Sequence, residues 1–517
     1  LFTESAKTDF SEVSEQASEA LGNLDDPSDV TLYCDYAIRH LLIDEFQDTS
    51  LKQFRLIEKL TQGWEPGVGK TLFVVGDPMQ SIYRFREANV SLFLQARDSG
   101  IGEVFLQSLT LTSNFRSHPI LINWVNRCFS SIFPTKDNLH LGAVKHHSSK
   151  PGRENYTHEG NVHFYQNETS ENQGKRIVDI IQSIPASESI GLLIRSRKQL
   201  NTILPYLQQE NITFQGMDIE LLSTRPYIQD LCSLMQTIVE PANQLAWHAT
   251  LRAPWCGLTK KDLWALTQNA QTVSVSLSSD GEKRYKHVQD IILKARKQRQ
   301  KISLSLLVET TWRTLGGHLY TKPEIKQDIE TIWSLIDDCR YDKPNLMAEF
   351  IQKVNKLYSK MSTESHVHIM TIHKSKGLEF DHVILPYLEA NAAKQDTVLL
   401  QHAERQTLRG EHNFLLASMK SVDDSEDAVY QYLNYLDKKK YVFEQQRLLY
   451  VALTRAKSHL HLLAIQASTD SPTKNTFLEA LAPHLPIPTS KAVTNQHEQC
   501  VQCDTTPAAN APVLTRL

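Results

Sequence analysis

The chain has 517 residues, which at about 150 residues per domain corresponds to roughly three to four domains. Hydrophobic residues make up 41% and charged residues 22%, a balance that excludes a fully disordered, collagen-like or coiled-coil protein. The net charge of −4 gives no overall signature of nucleic-acid binding. No apolar run reaches the roughly 20 residues that span a bilayer. The seven scattered cysteines favour a reducing, cytoplasmic location.

The first part of the chain alternates between helical and strand patterns. Residues 1–22 carry apolar side chains at helical spacing, and residues 41–43 and 72–75 are short apolar runs. Such continuous runs predict strands that are buried on both faces of a parallel sheet, and their alternation with helices predicts an α/β fold. Acidic residues follow each run, at the strand ends where parallel sheets bind their ligands.

The pattern changes after residue 134. Residues 134–160 predict a surface loop, and from about 218 to 360 long helical patterns with five tryptophans replace the strand patterns. This change predicts a helical domain inserted into an α/β domain. The tail after about 484 is rich in Pro, Thr, Ala and Asn, and we expect it to be disordered. Short strand patterns flank the helical region at residues 162–165, 191–194, 367–371, 383–385 and 460–465.

One strand end carries two adjacent carboxylates, Asp44 and Glu45. A site that transfers phosphate needs one carboxylate to hold Mg²⁺, usually through water, and another group to position the attacking water. An Asp-Glu pair after a buried strand supplies both groups and is the Walker B pattern of ATPases. Taken alone, the pair is equally compatible with a solvated junction between a strand and a loop.

Four further motifs follow this pair along the chain, at residues 76–86, 114–117, 371–380 and 446–457. Together with residues 41–48, they resemble motifs II to VI of UvrD/Rep-type superfamily 1 DNA helicases. The resemblance is strongest to the RecB and AddA type, the exodeoxyribonuclease V beta-subunit helicases. Five motifs in one order, spread over most of the chain, are a specific signal.

The resemblance implies an α/β fold with RecA-like P-loop motor domains, one partial and one complete, and an inserted, mainly helical accessory domain. It also implies an ATP-dependent DNA helicase that moves 3′ to 5′ in DNA repair or recombination. The implied partners are single-stranded DNA, single/double-strand junctions and RecC/RecD-like or AddB-like subunits. The expected division is 1–112 for the C-terminal part of the first motor domain, 113–217 and 365–483 for the second, 218–364 for the insertion and 484–517 for the tail.

The resemblance assigns roles around the phosphates of ATP. Asp44 is expected to organise Mg²⁺, Glu45 to activate the hydrolytic water and Gln80 to sense the γ-phosphate. Arg116 and Arg455 resemble two arginines that reach the γ-phosphate from the second motor domain, a task that suits a planar, bidentate guanidinium. Surface salt bridges are the alternative for both arginines.

Two positions resemble those that hold the rest of the nucleotide, so the implied cofactors are ATP and Mg²⁺. Phe115 stands where the family often carries a tyrosine that stacks on adenine, and here the stacking surface is kept while the hydroxyl is lost. Glu379 resembles the carboxylate that contacts the ribose.

Aromatic and basic residues resemble the family's contacts to single-stranded DNA. Tyr83 and Phe85 stand where aromatic rings stack on bases. Stacking suits a motor that must bind DNA of any sequence. His373 and Lys374 are expected to contact the DNA backbone. The alternatives are that both rings belong to the core and that His373 is a packed or capping histidine.

Residues 252–263 contain a turn followed by a helix start with two lysines. Similar stretches occur in the duplex-facing accessory domain of the family. Backbone N–H groups at a helix start can form a phosphate-binding site. An ordinary capped helix explains the pattern equally well.

Two segments resemble functional motifs, but we interpret them as having no such function. Residues 67–71 resemble the end of a phosphate-binding loop, but a true GxxxxGK[ST] run would have glycine where Trp64 stands, and it would lead into a helix. We therefore expect a turn before a strand. Cys500 and Cys503 form a single CxxC pair without a second pair, which is weak evidence for a metal site.

No other segment fits the phosphate-binding loop, and none precedes Asp44, where the family carries it. We therefore expect the chain to be a fragment that neither binds nor hydrolyses ATP well by itself. About fifty residues follow the last strand pattern, so no nuclease activity is expected. The alternative to a helicase is a non-hydrolysing DNA-binding or scaffold module that retains the helicase fold.

Overall fold

The structure is a computed structural model. The residues it describes are 8–22, 26–153, 159–167, 169–216, 221–268, 277–299, 301–321, 325–339, 345–357, 365–391, 398–406, 412–419, 427–465 and 473–486. The predicted disordered tail lies outside them from residue 487 onwards, as do Cys500 and Cys503. None of the helices in these ranges has the length and apolar character needed to cross a membrane.

The first segment is a small α/β unit. Its elements are α1 (Phe10–Ala20), α2 (Asp29–Ala37), β1 (His40–Ile43), α3 (Leu51–Leu60), β2 (Thr71–Val74) and α4 (Val90–Ser99). Each helix follows a residue whose side chain accepts a backbone N–H of the first turn, namely Asp9, Ser28, Ser50 and Asn89. The strands β1 and β2 pair in parallel, as the apolar runs predicted.

The prediction that β1 and β2 are buried on both faces is wrong. Successive side chains of a strand point to opposite faces, and α3 and α4 cover one face, with Phe46 and Phe54 in the core between them. On the other face Leu42 and Phe73 are 73% and 54% exposed. A continuous apolar run thus indicates the strand correctly but does not report what covers each face.

The second segment begins with short irregular structure and continues with strands and helices in alternation. Its elements up to residue 216 are β3 (Ser113–Asn114), α5 (Pro119–Ile132), β4 (Lys150–Pro151), β5 (Asn161–Asn167), α6 (Ser170–Ser183), β6 (Ile190–Ile194), α7 (Arg197–Gln209) and β7 (Gln215–Gly216). The predicted loop over residues 134–160 is largely irregular where it is described, with β4 as its regular element.

Helices follow β7, as the pattern after residue 218 predicted. They are α8 (Pro226–Val239), α9 (Gln244–Arg252), α10 (Lys260–Gln268), α11 (Ser279–Gln298), α12 (Leu304–Thr314), α13 (Lys326–Asp337) and α14 (Leu346–Val354). They share an apolar core that includes Leu234, Ile292, Trp312 and Phe350. This core is separate from the cores of the sheets, so the helices pack mainly on one another.

The chain then returns to the sheet. The elements are β8 (Val367–Thr371), β9 (Phe380–Leu385), β10 (Leu400–Gln406), β11 (His412–Ser418), α15 (Ala428–Leu453), β12 (Ala456–Ile465) and α16 (Phe477–Leu481). The hairpin of β10 and β11 is antiparallel and lies against α15, where Gln401 donates to Asn434. This hairpin is absent from the sequence prediction.

A six-stranded parallel sheet organises the second segment, in the order β5-β12-β9-β6-β8-β7. Its largest apolar core also contains Met79, Ile82 and Val90 of the first segment, packed with residues of β9, α15 and β12. The two segments therefore share one core. Their polar loops meet beside this core, and the candidate site lies there.

Candidate functional site

The pair Asp44 and Glu45 lies directly after β1. Glu45 has a left-handed backbone, with φ at 52°, which turns the chain sharply into the short 3-10 helix Phe46–Asp48. Its N–H donates to Asp44 Oδ1 over 2.8 Å. A non-glycine residue in this conformation costs roughly 1 kcal/mol or more and is common at functional turns. Both carboxylates are exposed at the end of the strand.

Glu45 is held by a residue from the second segment. Lys376 Nζ lies 3.0 Å from Glu45 Oε2 and also contacts Asp48, and its side chain is 7% exposed. Gln47 donates to the same Glu45 oxygen and accepts from Asp77 N over 3.0 Å. Sequence reasoning gave Lys376 and Gln47 no role, although both lie inside the quoted motifs. Only the folded chain reveals that they contact Glu45 and Asp77.

Gln80 is fixed in a defined orientation. It ends the 3-10 helix Pro78–Gln80, which Asp77 caps by accepting Met79 N over 2.9 Å. Gln80 Nε2 donates to Asp77 Oδ2 over 2.8 Å, and Gln80 Oε1 accepts from Arg455 Nη2 over 3.2 Å. Burial raises the pKa of Asp77, and hydrogen bonds from Gln80 and Met79 oppose this shift. The amide of Gln80 therefore bridges the two segments.

Arg455 lies just after α15 and is 1% exposed. Its guanidinium donates to Val451 O over 3.0 Å and to Leu378 O over 3.2 Å. Burial and, to a smaller extent, the charge of Arg116 lower its pKa to about 10. Within the described residues Arg455 forms no ion pair, so the surface salt bridge considered for it is wrong.

Arg116 does form an ion pair. Its Nε lies 2.7 Å from Glu379 Oε2, and Lys457 Nζ lies 3.5 Å from the other carboxylate oxygen. Burial raises the pKa of Glu379, but the hydrogen bond and charge of Arg116, with the charge of Lys457, outweigh it, so the net shift is downward. The structure thus brings Arg116 and Glu379 together, and both remain reachable from solvent.

Phe115 presents an open ring beside this ion pair. The ring lies on the backbone of Gly152, where an added Cβ would come within 2.7 Å of the ring. The remainder of the side chain is exposed. One face of the ring is therefore supported by the protein, as a stacking surface requires.

Tyr83, Phe85 and His373 form one cluster. The Phe85 ring lies 5.9 Å from Tyr83 and 5.5 Å from His373 by ring centroids. Tyr83 OH donates to His373 O over 3.1 Å, and the Arg86 guanidinium lies 5.2 Å from the Tyr83 ring. Burial lowers the pKa of His373, as does the charge of Arg86. Lys374 is exposed next to this cluster.

The alternative that Tyr83 and Phe85 are both core residues is wrong. They flank and enter a short 3-10 helix, Arg84–Arg86. Phe85 is 67% exposed and therefore is not a core residue. Tyr83 is half-buried.

The segment at residues 67–71 is a turn, as predicted. Lys70 donates to Asp35, and Thr71 begins β2. The helix start near residue 260 is capped internally, since Thr259 Oγ1 accepts the Asp262 N–H over 3.2 Å, and the Asp262 carboxylate accepts from Thr259 Oγ1 over 2.7 Å and from Ser278 N over 2.8 Å. These contacts favour the ordinary capped helix over a phosphate-binding site.

Family models match the chain in two parts. Residues 2–100 match the UvrD/REP helicase N-terminal domain, and residues 109–290 and 283–467 match the UvrD-like helicase C-terminal domain. These matches cover both the segment with Asp44 and the segment with Arg455.

Curated relatives agree with these models. The exonuclease/helicase subunit RexA of Lactococcus lactis subsp. cremoris (strain MG1363) is 25% identical over a 510-residue alignment that covers 83% of this chain and 41% of the relative. RecBCD enzyme subunit RecB of Escherichia coli (strain K12) is 26% identical over a 477-residue alignment that covers 81% of this chain and 37% of RecB. The chain therefore spans about two fifths of the length of these relatives. The family resemblance found in the motifs is confirmed, and the chain belongs to the UvrD-like helicase family.

Proposed function

We propose that this chain is part of an ATP-dependent DNA helicase that moves 3′ to 5′ along single-stranded DNA and acts in the cytoplasm in DNA repair or recombination. The observation that carries the proposal is the meeting of the two segments through polar groups, Arg455 with Gln80 and Lys376 with Glu45. Groups that bridge a cleft between two units link its closure to whatever binds there. A motor needs such a link to turn hydrolysis into movement.

The arginines are suited to a polyphosphate. Arg455 and Arg116 are close enough for their charges to repel, and Arg455 forms no ion pair among the described residues. An anion between them would relieve this repulsion, and guanidinium groups bind phosphate oxygens bidentately. We assign this position to the γ-phosphate of ATP, with Gln80 sensing it. Phe115 and Glu379 would contact the adenine and the ribose.

Asp44 has the chemistry required to hold Mg²⁺. One of its oxygens accepts the Glu45 N–H, and the other accepts no hydrogen bond within the described part of the chain. Mg²⁺ is usually held by one or two carboxylates with water and substrate phosphates, so a single carboxylate is sufficient. When bound, the ion neutralises phosphate charge.

Glu45 would activate the hydrolytic water. In the present arrangement its carboxylate is occupied by Lys376 and Gln47. Lys376 also lies 5.2 Å from the Tyr83 ring, next to the cluster assigned to DNA. Glu45 is therefore connected to the aromatic cluster through one lysine.

The aromatic cluster is assigned to single-stranded DNA. Exposed Phe85, supported by Tyr83 and His373, offers a ring on which any base can stack. Arg86 and Lys374 add positive charge beside it. Local binding of DNA by this cluster is compatible with the net charge of −4.

The helices α8 to α14 are assigned to an accessory domain that faces duplex DNA at single/double-strand junctions. Partner subunits of the RecC/RecD or AddB type are proposed from the names of the relatives, which are called subunits. One observation favours the alternative of a non-hydrolysing DNA-binding or scaffold module. The 517 residues contain no GxxxxGK[ST] run.

Because of this missing run, we expect the purified 517-residue chain to hydrolyse ATP only at background rate, with or without oligo(dT). Robust turnover would show that the phosphate-binding loop is not required.

A genetic test separates the motor from the module. In the organism that carries the gene, Glu45→Gln removes the base and keeps the shape of the side chain. The motor predicts sensitivity to double-strand breaks as severe as that of a deletion. The matched control Glu65→Gln, at an exposed turn residue, should behave like the parent. Full resistance of the Glu45→Gln strain, together with sensitivity of a Phe85→Ala strain, would support the module instead.

A further inference from the structure

A pocket among the helices between β7 and β8 lies apart from all the contacts assigned to ATP and DNA. It is bounded by α8, the turn after α9, α12, the 3-10 helix Gly317–Tyr320 and α13. Its wall is aromatic and aliphatic, and Asp230 is the charged residue in its lining. The aromatic members are Tyr227, Trp255, Trp312 and Tyr320.

The polar atoms of two of these rings are used elsewhere. Tyr227 OH donates to Asp328 Oδ2 over 2.7 Å, and Trp255 Nε1 donates to Thr250 O over 3.1 Å. These rings therefore offer carbon surface to the pocket. The faces of aromatic rings carry negative electrostatic potential and attract cations.

Asp230 differs from the neighbouring buried carboxylates. Asp328 accepts from Tyr227, and Asp262 accepts from Thr259 and Ser278. Within the described residues, half-buried Asp230 accepts no hydrogen bond and has no ion-pair partner within 4 Å. Burial raises the pKa of Asp230, and the charge of Arg252 opposes this shift from a longer distance. A partly buried carboxylate without a partner is costly, and a bound cation would remove that cost.

We propose that this pocket binds an organic cation, an alkylammonium or guanidinium group, with aromatic rings around it and Asp230 as its counter-ion. The cation goes beyond the proposed function, because ATP and DNA present anionic phosphates that Asp230 repels. Two sources share this chemistry, namely a lysine or arginine side chain of a partner protein and a free polyamine.

The test uses the whole 517-residue chain labelled with 5-fluorotryptophan and followed by fluorine NMR. Of the seven tryptophans, two line the pocket, and Trp255→Phe and Trp312→Phe assign their signals. The ligands are N-acetyl-arginine amide, its neutral isostere N-acetyl-citrulline amide, and spermidine. We expect saturable shifts of the Trp255 and Trp312 signals with a cation and none with the citrulline compound. Tighter binding of spermidine would identify a polyamine, and tighter binding of the arginine compound a protein side chain.

Asp230→Asn is the decisive variant, since it keeps the shape and removes the charge. We expect cation binding to weaken by about tenfold or more. Its resistance to thermal unfolding should be equal to or greater than that of the parent, because an unpaired charge is removed. The control Asp290→Asn, at an exposed position of α11, should bind like the parent. Equal binding by Asp230→Asn, equal binding of the citrulline compound, or no saturable shift with either cation would overturn the proposal.

Discussion

Arg447 joins the two segments through backbone carbonyls. It is 5% exposed and donates to Ser81 O over 2.7 Å and to Gly142 O over 2.8 Å. Burial lowers its pKa to about 10, and the charge of Glu444 partly offsets this. Its role is structural, and it is testable apart from any activity.

Replacing Arg447 by methionine should lower the free energy of unfolding by about 2–4 kcal/mol, because two buried carbonyls lose their donors and Glu444 loses a charge partner. Urea unfolding followed by circular dichroism measures this change. The control is Arg313→Met, which removes an exposed pair with Glu309 and should change stability by at most about 0.5 kcal/mol. Equal effects of the two variants would show that Arg447 does not hold the segments together.

Four histidines stack on the six-stranded sheet. His382 of β9 lies 4.6 Å from His459 of β12, and His163 of β5 lies 5.0 Å from His461 by ring centroids. His382 also contacts His461 Nε2 over 3.1 Å and Glu188 over 2.6 Å. Burial, and then the neighbouring imidazoles, lower the pKa of His459 to about 4 and the pKa of His461 well below its usual value.

This stack should make stability fall in mild acid. The folded pKa of His459 lies below the unfolded value of 6.5, so the unfolded chain binds more protons between about pH 6.5 and 4. The free energy of unfolding should therefore decrease as pH falls through this window. His461→Phe should flatten the dependence in urea unfolding between pH 7.5 and 5, and the exposed control His287→Gln should not. An unchanged slope in His461→Phe would contradict the assignment.

The exposed face of the two-stranded sheet gives a prediction at the scale of an element. Leu42→Thr should change the free energy of unfolding by less than about 0.5 kcal/mol, because Leu42 is largely solvent-exposed. Phe54→Ala, in the core between α3 and the covered face, should cost about 3–5 kcal/mol. Urea unfolding compares the two. A cost for Leu42→Thr that approaches that of Phe54→Ala would mean that this face is buried after all.

The elements that could be predicted from the sequence are those with continuous apolar runs. β6 belongs to this class because both faces of this central strand are covered. The hairpin of β10 and β11 was missed because residues such as His402 and Glu404 interrupt its apolar residues. β7 has only two residues and carries no pattern.

The sequence predicted which residues form the candidate site, but it did not predict which of them contact one another. The motifs identified Glu45, Gln80 and Arg455 through their resemblance to the motifs of UvrD/Rep-type helicases. The contact between Lys376 and Glu45 joins residues that are far apart in the sequence, and no local pattern encodes it. The roles given to these residues remain predictions.

At the scale of the whole molecule, the two segments share one apolar core and a set of polar contacts. Met79 and Ile82 pack with residues of β12 and α15, while Arg455 contacts Gln80 above them. The groups assigned to the nucleotide and the aromatic cluster lie on loops that leave this core. A base bound at Phe85 is therefore connected to Glu45 through Tyr83 and Lys376.

The most direct test of this account is the affinity of the 517-residue chain for fluorescent oligo(dT), measured by anisotropy. The chain should bind oligo(dT) and oligo(dA) comparably, because stacking accepts any base, and Phe85→Ala should weaken binding by about fivefold or more. Tyr36→Ala, which removes an even more exposed ring of α2, should bind like the parent. Parental affinity in Phe85→Ala, or no binding of single-stranded DNA by the parent chain, would contradict the account.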